Sequence, residues 1–138
     1  MTTLHIHENL LTRLKSLVCA GYPQEACGLL IGRQQNGRVE VREVASARNL
    51  NTARAADRFE LDPEDYLKAD RVAQQAGLEL VGIWHSHPDH PAQPSATDHE
   101  FAWEGWSYLI LSVGREGVAE MRSWRLDGQE FKEEVICS

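Results

Sequence analysis

Residues 79–100 read ELVGIWHSHPDHPAQPSATDHE, and both an architecture and a chemistry can be read from them. Leu80, Val81, Ile83 and Trp84 form a short apolar run that predicts a buried strand. That strand delivers the chain directly to His85-Ser86-His87. Successive strand side chains alternate between faces, so the two histidines point the same way with Cα atoms about 6.5 Å apart. Both imidazoles can then reach one ion at ~2.1 Å. Pro88, Pro91 and Pro94 predict a loop over 88–94. Ser95-x-x-Asp98 opens a helix predicted to run to Trp106, and its first turn brings a carboxylate back toward the imidazoles. Three protein ligands leave a fourth position for water, the coordination of a catalytic zinc, and this donor set suits zinc better than calcium or magnesium.

Each half also has a plainer reading. A His-x-His pair on a strand is often two surface imidazoles. Ser95 with Asp98 makes an ordinary capping box, serine at the N-cap and the acid at N3. Taken together, H-x-H-x7-S-x-x-D from His85 to Asp98 resembles the JAMM motif of the MPN+ zinc metallopeptidases. That family also has a glutamate just before its first core strand, and Glu25 in PQEACGLLIG stands there. The resemblance covers essentially the whole chain and fills every motif position. It implies an α/β (α+β) domain of the MPN/JAMM-like, cytidine-deaminase-like kind. One zinc per chain would be held by His85, His87 and Asp98, with Glu25 as general base and acid and Ser95 stabilising the oxyanion. Without the resemblance, Glu25 reads as a surface glutamate after a proline turn and Ser95 as a helix cap.

Working outward from this segment, Leu10, Leu11, Leu14, Leu17 and Val18 give residues 7–21 the pattern of an amphipathic helix ended by Gly21 and Pro23. ACGLLIG is a second buried strand. Asn36-Gly37, followed by alternating Val39 and Val41 and then Val44, predicts a hairpin. Residues 49–58 are polar and irregular and read as a loop. Asp62 as N-cap and Pro63 at the first helical position start a helix expected to reach Gly77. SYLILSV, VAEMRSWRL and EFKEEVI follow as strands separated by glycine turns. The expected architecture is a single domain over 1–138, a central mixed β-sheet flanked by helices.

Composition narrows the function classes. A hydrophobic fraction of 42% supplies one core without staples. The net charge is -7 and the 14 basic residues are scattered, so a nucleic-acid partner is not expected. Cys19, Cys27 and Cys137 form no C-x-x-C pair and read as free, mostly buried thiols of a reducing compartment. MTTLHIHENL lacks the pattern of a secretory signal, and no run approaches ~18 apolar residues, so the expectation is a cytoplasmic protein without a membrane partner. No G-x-S-x-G elbow is present for a serine hydrolase. His90 and His99 match no motif position and read as surface residues. Trp84 should turn away from His85 into the core, while Trp103, Trp106 and Trp124 read as core or partly exposed aromatics.

The short chain resembles the compact prokaryotic branch of the MPN+ family. Some members there cleave an amino acid or peptide from the C-terminal diglycine of small ubiquitin-like sulfur carriers. The resemblance therefore implies hydrolysis of the peptide or isopeptide bond after such a Gly-Gly, with the tail extended across the zinc and added beside a sheet edge. Two rivals stand beside it. A non-catalytic MPN scaffold would have lost ligands that are intact here. A hydrolase of small molecules or generic peptides would have a deep closed pocket in place of an open groove.

Overall fold

Seven strands and three helices succeed one another among residues 2–54, 56 and 58–138, the residues described in the computed structural model. In chain order they are β1 (Thr3–Ile6), α1 (Glu8–Gly21), β2 (Cys27–Gln35), β3 (Arg38–Ala47), α2 (Pro63–Gln75), β4 (Glu79–Pro88), α3 (Ala96–Glu100), β5 (Ser107–Gly114), β6 (Gly117–Asp127) and β7 (Glu130–Cys137). The result is an α+β fold with a mixed sheet and few helices. Local chemistry accounts for most boundaries. His7 caps α1 by accepting the Asn9 N–H on Nδ1. Asp62 caps α2 by accepting from the Glu64 N–H at 2.8 Å, with Pro63 in the first turn. Asn36 (φ 52°) and Gly37 (φ 78°) make the turn between β2 and β3, where positive φ at both central residues matches the twist of the flanking strands.

The sheet order is β1-β3-β2-β4-β5-β6-β7, and the sheet closes on itself. The expected central mixed sheet is present, but it is closed into a barrel. The four-residue β1 pairs in parallel with β3 on one side and β7 on the other, so the ends meet as a barrel. Helices do lie on both faces. Leu14 and Val18 of α1 pack with Leu30, Val41, Trp84 and Leu109 on one face. Ala69 and Ala73 of α2 pack with Leu29, Ile31 and Leu80 on the other. Burying both faces explains why β2, β4 and β5 read as continuous apolar runs.

Four further expectations change. α3 ends at Glu100 instead of continuing to Trp106, because the Trp103 N–H donates to the Tyr108 hydroxyl (2.7 Å) and Gly105 takes φ 88°. Pro88 is the last residue of β4, so both histidines lie inside the strand. α2 stops at Gln75, two residues short of Gly77. Of the three thiols only Cys27 is buried; Cys19 is exposed and Cys137 intermediate. Among the described residues, no helix is long and apolar enough to cross a membrane.

Candidate metal centre

β4 runs between β2 and β5, with His85 opposite Cys27 on one side and Ile110 on the other. Strand alternation turns Trp84 into the α1-side core, fully buried, and leaves His85 and His87 on the other face. Gly28 makes room for this, since a Cβ there would collide with the Trp84 ring and the Ala45 carbonyl that accepts its indole N–H. Ser86, between the histidines, points back to β2. Its hydroxyl oxygen accepts the Ala26 N–H (2.8 Å) while its own N–H donates to the Ala26 carbonyl (3.0 Å). The middle residue of His-Ser-His thereby fastens the segment that carries Glu25 alongside the imidazoles.

The proline loop is tied down at every turn. Tyr22 O–H donates to Asp89, the Asp89 N–H to the Val113 carbonyl, and the Ser112 hydroxyl to the His90 carbonyl. Trp124 donates its indole N–H to the Ala92 carbonyl (2.9 Å), and the Ala92 N–H donates to Glu120 (2.9 Å). α3 is thereby held so that Asp98 returns to the histidines. Within the capping box, Ser95 Oγ accepts from the Asp98 N–H (3.0 Å) and Asp98 Oδ2 accepts from the Ser95 N–H (2.9 Å).

Three atoms converge as a consequence. His85 Nε2 and His87 Nε2 are 3.1 Å apart, and Asp98 Oδ2 lies 3.3 Å from the first and 3.0 Å from the second. His87 donates its Nδ1–H to the Pro91 carbonyl at 2.8 Å, so a neutral His87 presents a lone pair at Nε2. Phe59 stacks on His85 with centroids 4.6 Å apart. Donor atoms of Glu25, His85 and His87 also fall within 4.8 Å of one another, and all three residues are buried. Two carboxylates thus flank the imidazole pair, and Asp98 is the one in hydrogen-bond range of both nitrogens. A tetrahedron whose corners lie ~2.0 Å from its centre has edges of ~3.3 Å, so this triangle fits three corners of a zinc-sized site. Buried lone pairs aimed at one point are the donor chemistry of a cation site.

The local electrostatics agree. Burial would raise the Asp98 carboxyl, yet hydrogen bonds from both imidazoles hold it well below the usual carboxylate range. Burial pushes His85 below the ordinary imidazole value against the pull of Asp98. Burial acts the same way on His87, where Asp98 and the Pro91 carbonyl outweigh it and raise the value. Cys27, beside His85, has its thiol pushed up to about 12, by burial first and then by the charges of Glu25 and Asp65. It stays protonated and is no nucleophile.

Two clefts meet here. One, of about 430 Å³, is lined by Phe59, Leu61, Ile83, Phe101 and Tyr108, with Arg58 and Glu60 also on its wall, and reaches His85 and Asp98. The other, of about 460 Å³, is polar and contains Glu25, His87 and Ser95 together with Arg54, Arg58 and His90. All five residues singled out from the sequence therefore line one continuous region. His90 is exposed as expected and lines the second cleft. His99 is exposed and packs edge-on to Phe131, away from the convergence point. Sequence reading missed Ser86, Phe59, Asn49 and the loop-clamping role of Trp124. Only Ser86 left a signal, as the inward partner of two outward histidines.

Such a fold and donor set define an α+β domain with side chains that could hold a metal ion. The chain belongs to the prokaryotic homologs of the JAB domain, whose profile matches residues 7–127. It is 34% identical to a desampylase of Haloferax volcanii over 129 residues, 91% of this chain and 86% of the relative. It is also 34% identical to the CysO-cysteine peptidase of Mycobacterium tuberculosis over 116 residues, 83% of this chain and 77% of that one. A solution structure from Desulfitobacterium hafniense superposes with a TM-score of 0.83 at 31% identity, covering 99% of this chain and 91% of the other.

Proposed function

We propose that the protein is a zinc-dependent peptidase of the MPN+ type that hydrolyses the peptide or isopeptide bond after the C-terminal Gly-Gly of a small ubiquitin-like sulfur carrier. The observation that carries this reading is the approach of His85 Nε2, His87 Nε2 and Asp98 Oδ2 to within 3.0–3.3 Å of one another. We assign these three as the ligands of one zinc per chain, in an MPN/JAMM-like, cytidine-deaminase-like domain spanning 1–138 that works in the cytoplasm. Zinc, when bound, supplies Lewis acidity toward water and the scissile carbonyl. Glu25 takes the proton of the attacking water and returns it to the leaving amine as the C–N bond breaks. Its burial beside the imidazoles supports that role and disfavours the surface-glutamate reading. Ser95 donates its hydroxyl hydrogen to the developing oxyanion while its lone pair keeps the cap.

Relatives named desampylase and CysO-cysteine peptidase support a small-protein conjugate as the substrate. The meeting of two clefts at the donors favours a passage for an extended tail over a closed pocket for a small molecule. Intact ligands disfavour the scaffold reading. The test is Glu25→Gln, which keeps shape and removes the proton acceptor. Zinc content and melting temperature should stay at wild-type values while kcat falls about 10²- to 10⁴-fold. Near-normal turnover at full zinc occupancy would sink the assignment. For the substrate, kcat/KM on a carrier extended by one residue should greatly exceed that on its last eight residues as a free peptide; equal values would replace this reading with a general peptidase.

A further inference from the structure

Three side chains stand in a row across neighbouring strands beside the candidate metal centre. His87 of β4 pairs with Ser112 of β5, and Ser112 pairs with Glu120 of β6. Directly paired residues point to the same face of a sheet, so the three side chains lie side by side. Each takes hold of one backbone group of the proline loop. The Ser112 hydroxyl donates to the His90 carbonyl (2.6 Å), His87 donates its Nδ1–H to the Pro91 carbonyl (2.8 Å), and Glu120 Oε1 accepts the Ala92 N–H (2.9 Å).

Two of these contacts share one peptide bond. The Pro91 carbonyl and the Ala92 N–H belong to the same planar, conjugated unit. His87 is thereby linked to a carboxylate through a single amide, and both His87 and Ala92 are buried. An N–H given to an anion makes a strong hydrogen bond, and hydrogen bonds in series polarise one another. The carboxylate pushes electron density onto the Pro91 oxygen, which draws harder on the Nδ1 proton and leaves the ring richer at Nε2. A histidine whose other N–H is held in this way is the more basic ligand. Arg122 Nε lies 3.4 Å from Glu120 Oε2, which leaves Oε1 for the loop, and the same guanidinium also reaches Glu133 (3.6 Å). His85 Nδ1, by contrast, has no hydrogen-bond partner among the described residues. The two imidazoles are therefore unequal.

From this geometry, and resting on the assignment of His87 as a metal ligand, we infer that Glu120 is a positioning residue that sets the donor strength of His87 Nε2 through the Pro91–Ala92 peptide. It acts at a distance from the convergence point and through the imidazole alone. The rival account is plain loop-holding. Trp124 does that job from the same strand, by donating its indole N–H to the Ala92 carbonyl (2.9 Å). That carbonyl belongs to the next peptide unit, so Trp124 grips the same residue without entering the path to His87. Glu120 and Trp124 therefore control for one another.

The experiment compares Glu120→Gln, which keeps an oxygen for the Ala92 N–H and removes the charge, with Trp124→Phe, which keeps an aromatic ring and removes the N–H. Zinc affinity is measured by competition with a chromophoric chelator, and the His87 Nδ1–H resonance by NMR on the metal-free proteins. In Glu120→Gln the melting temperature should stay at the wild-type value while zinc binds about 10-fold more weakly, the lower end of the loss usual for a ligand's hydrogen-bond partner. Its Nδ1–H resonance should move upfield as that hydrogen bond weakens. In Trp124→Phe the melting temperature should fall by a few degrees, with zinc affinity and the resonance near wild type. Wild-type affinity in Glu120→Gln, or affinity that tracks melting temperature across the two variants, would overturn the inference and make Glu120 a loop clamp. If the wild type binds no zinc, the ligand reading fails by itself and the resonance decides the relay. An upfield shift in Glu120→Gln alone supports it, and an unmoved resonance rejects it.

Discussion

Two buried polar clusters share the barrel and differ in kind. Toward the start of β4, Ser107 pairs with Gly82 and adjoins the Glu134 network. Glu134 has a fully buried side chain whose oxygens accept hydrogen bonds from Ser123 (2.6 Å), Thr2 (2.5 Å) and Arg125 (3.3 Å). Arg125 also donates to Gln34 (2.8 Å) and to Ser107 (3.1 Å). The negative charge there meets a positive one, and donors face acceptors throughout. Near the other end of β4, His85, His87 and Asp98 aim two imidazole nitrogens and a carboxylate oxygen at one another. Among the described residues, His85 Nδ1 has no hydrogen-bond partner. The comparison teaches that a polar group buried to hold strands together brings its own counterpart, whereas one buried for chemistry leaves a place for something else.

The sharpest way to break that contrast is His87→Ala. Zinc should fall from about one per chain to near zero, with activity down by more than about 10³-fold, because two donors do not hold a catalytic ion. The same variant, compared with wild type after chelation, should lose the hydrogen bonds to the Pro91 carbonyl and to Asp98, about 2–3 kcal/mol, or less than about 10 °C of Tm. Elemental analysis and paired melts check both halves. Retained zinc would remove His87 from the ligand set. A collapsed metal-free variant would show that this cluster is structural like the other.

Arg125→Met tests the opposite region and should leave zinc content and kcat/KM untouched. Glu134 would remain buried with only hydroxyl donors, a loss of about 3 kcal/mol, or roughly 10 °C of Tm at this chain length. Adding Glu134→Leu should recover much of that, since an apolar pair replaces an uncompensated charge. If Arg125→Met melts like wild type, the network does not hold the barrel shut.

The two regions were unequally legible in the sequence. His85, His87, Ser95 and Asp98 lie within one 14-residue span, where strand alternation and a capping signature constrain neighbours and the resemblance to the JAMM motif joins the two halves. In the Glu134 cluster, Ser123 and Ser107 arrive through the register of the consecutive strands β5, β6 and β7, while Thr2 and Gln34 join from the far end of the chain once the sheet closes. That closure depends on β1, whose four residues are too few to display a period. The premature end of α3 was hidden for a related reason: the hydrogen bond from Trp103 to Tyr108 is tertiary, and the residues before it carry a plausible helical pattern. Glu25 lay between these cases. Its place before a buried strand was visible, but its burial required Ser86 and Asn49 to pin the segment from two sides.

Ser95 belongs to both kinds of cluster, and the smallest effect on stability is expected there. Its Oγ accepts from the Asp98 N–H as a structural cap, while its hydroxyl hydrogen remains to serve the chemistry. Ser95→Ala removes both, so the helix start should weaken by about 1 kcal/mol, a few degrees of Tm. Turnover should fall about 10- to 10³-fold if the hydroxyl meets the oxyanion. Ser95→Asp separates the roles. Aspartate caps as well as serine does but has no hydrogen to donate when ionised, so Tm should return to near wild type while turnover stays low. Zinc content measured on both variants guards against an indirect loss through Asp98, whose Oδ2 accepts the Ser95 backbone N–H and is retained in either case. Turnover that tracks Tm across the two variants would make Ser95 a cap and nothing more. Turnover lost in both, with stability lost only in the alanine variant, would assign the hydroxyl to the reaction.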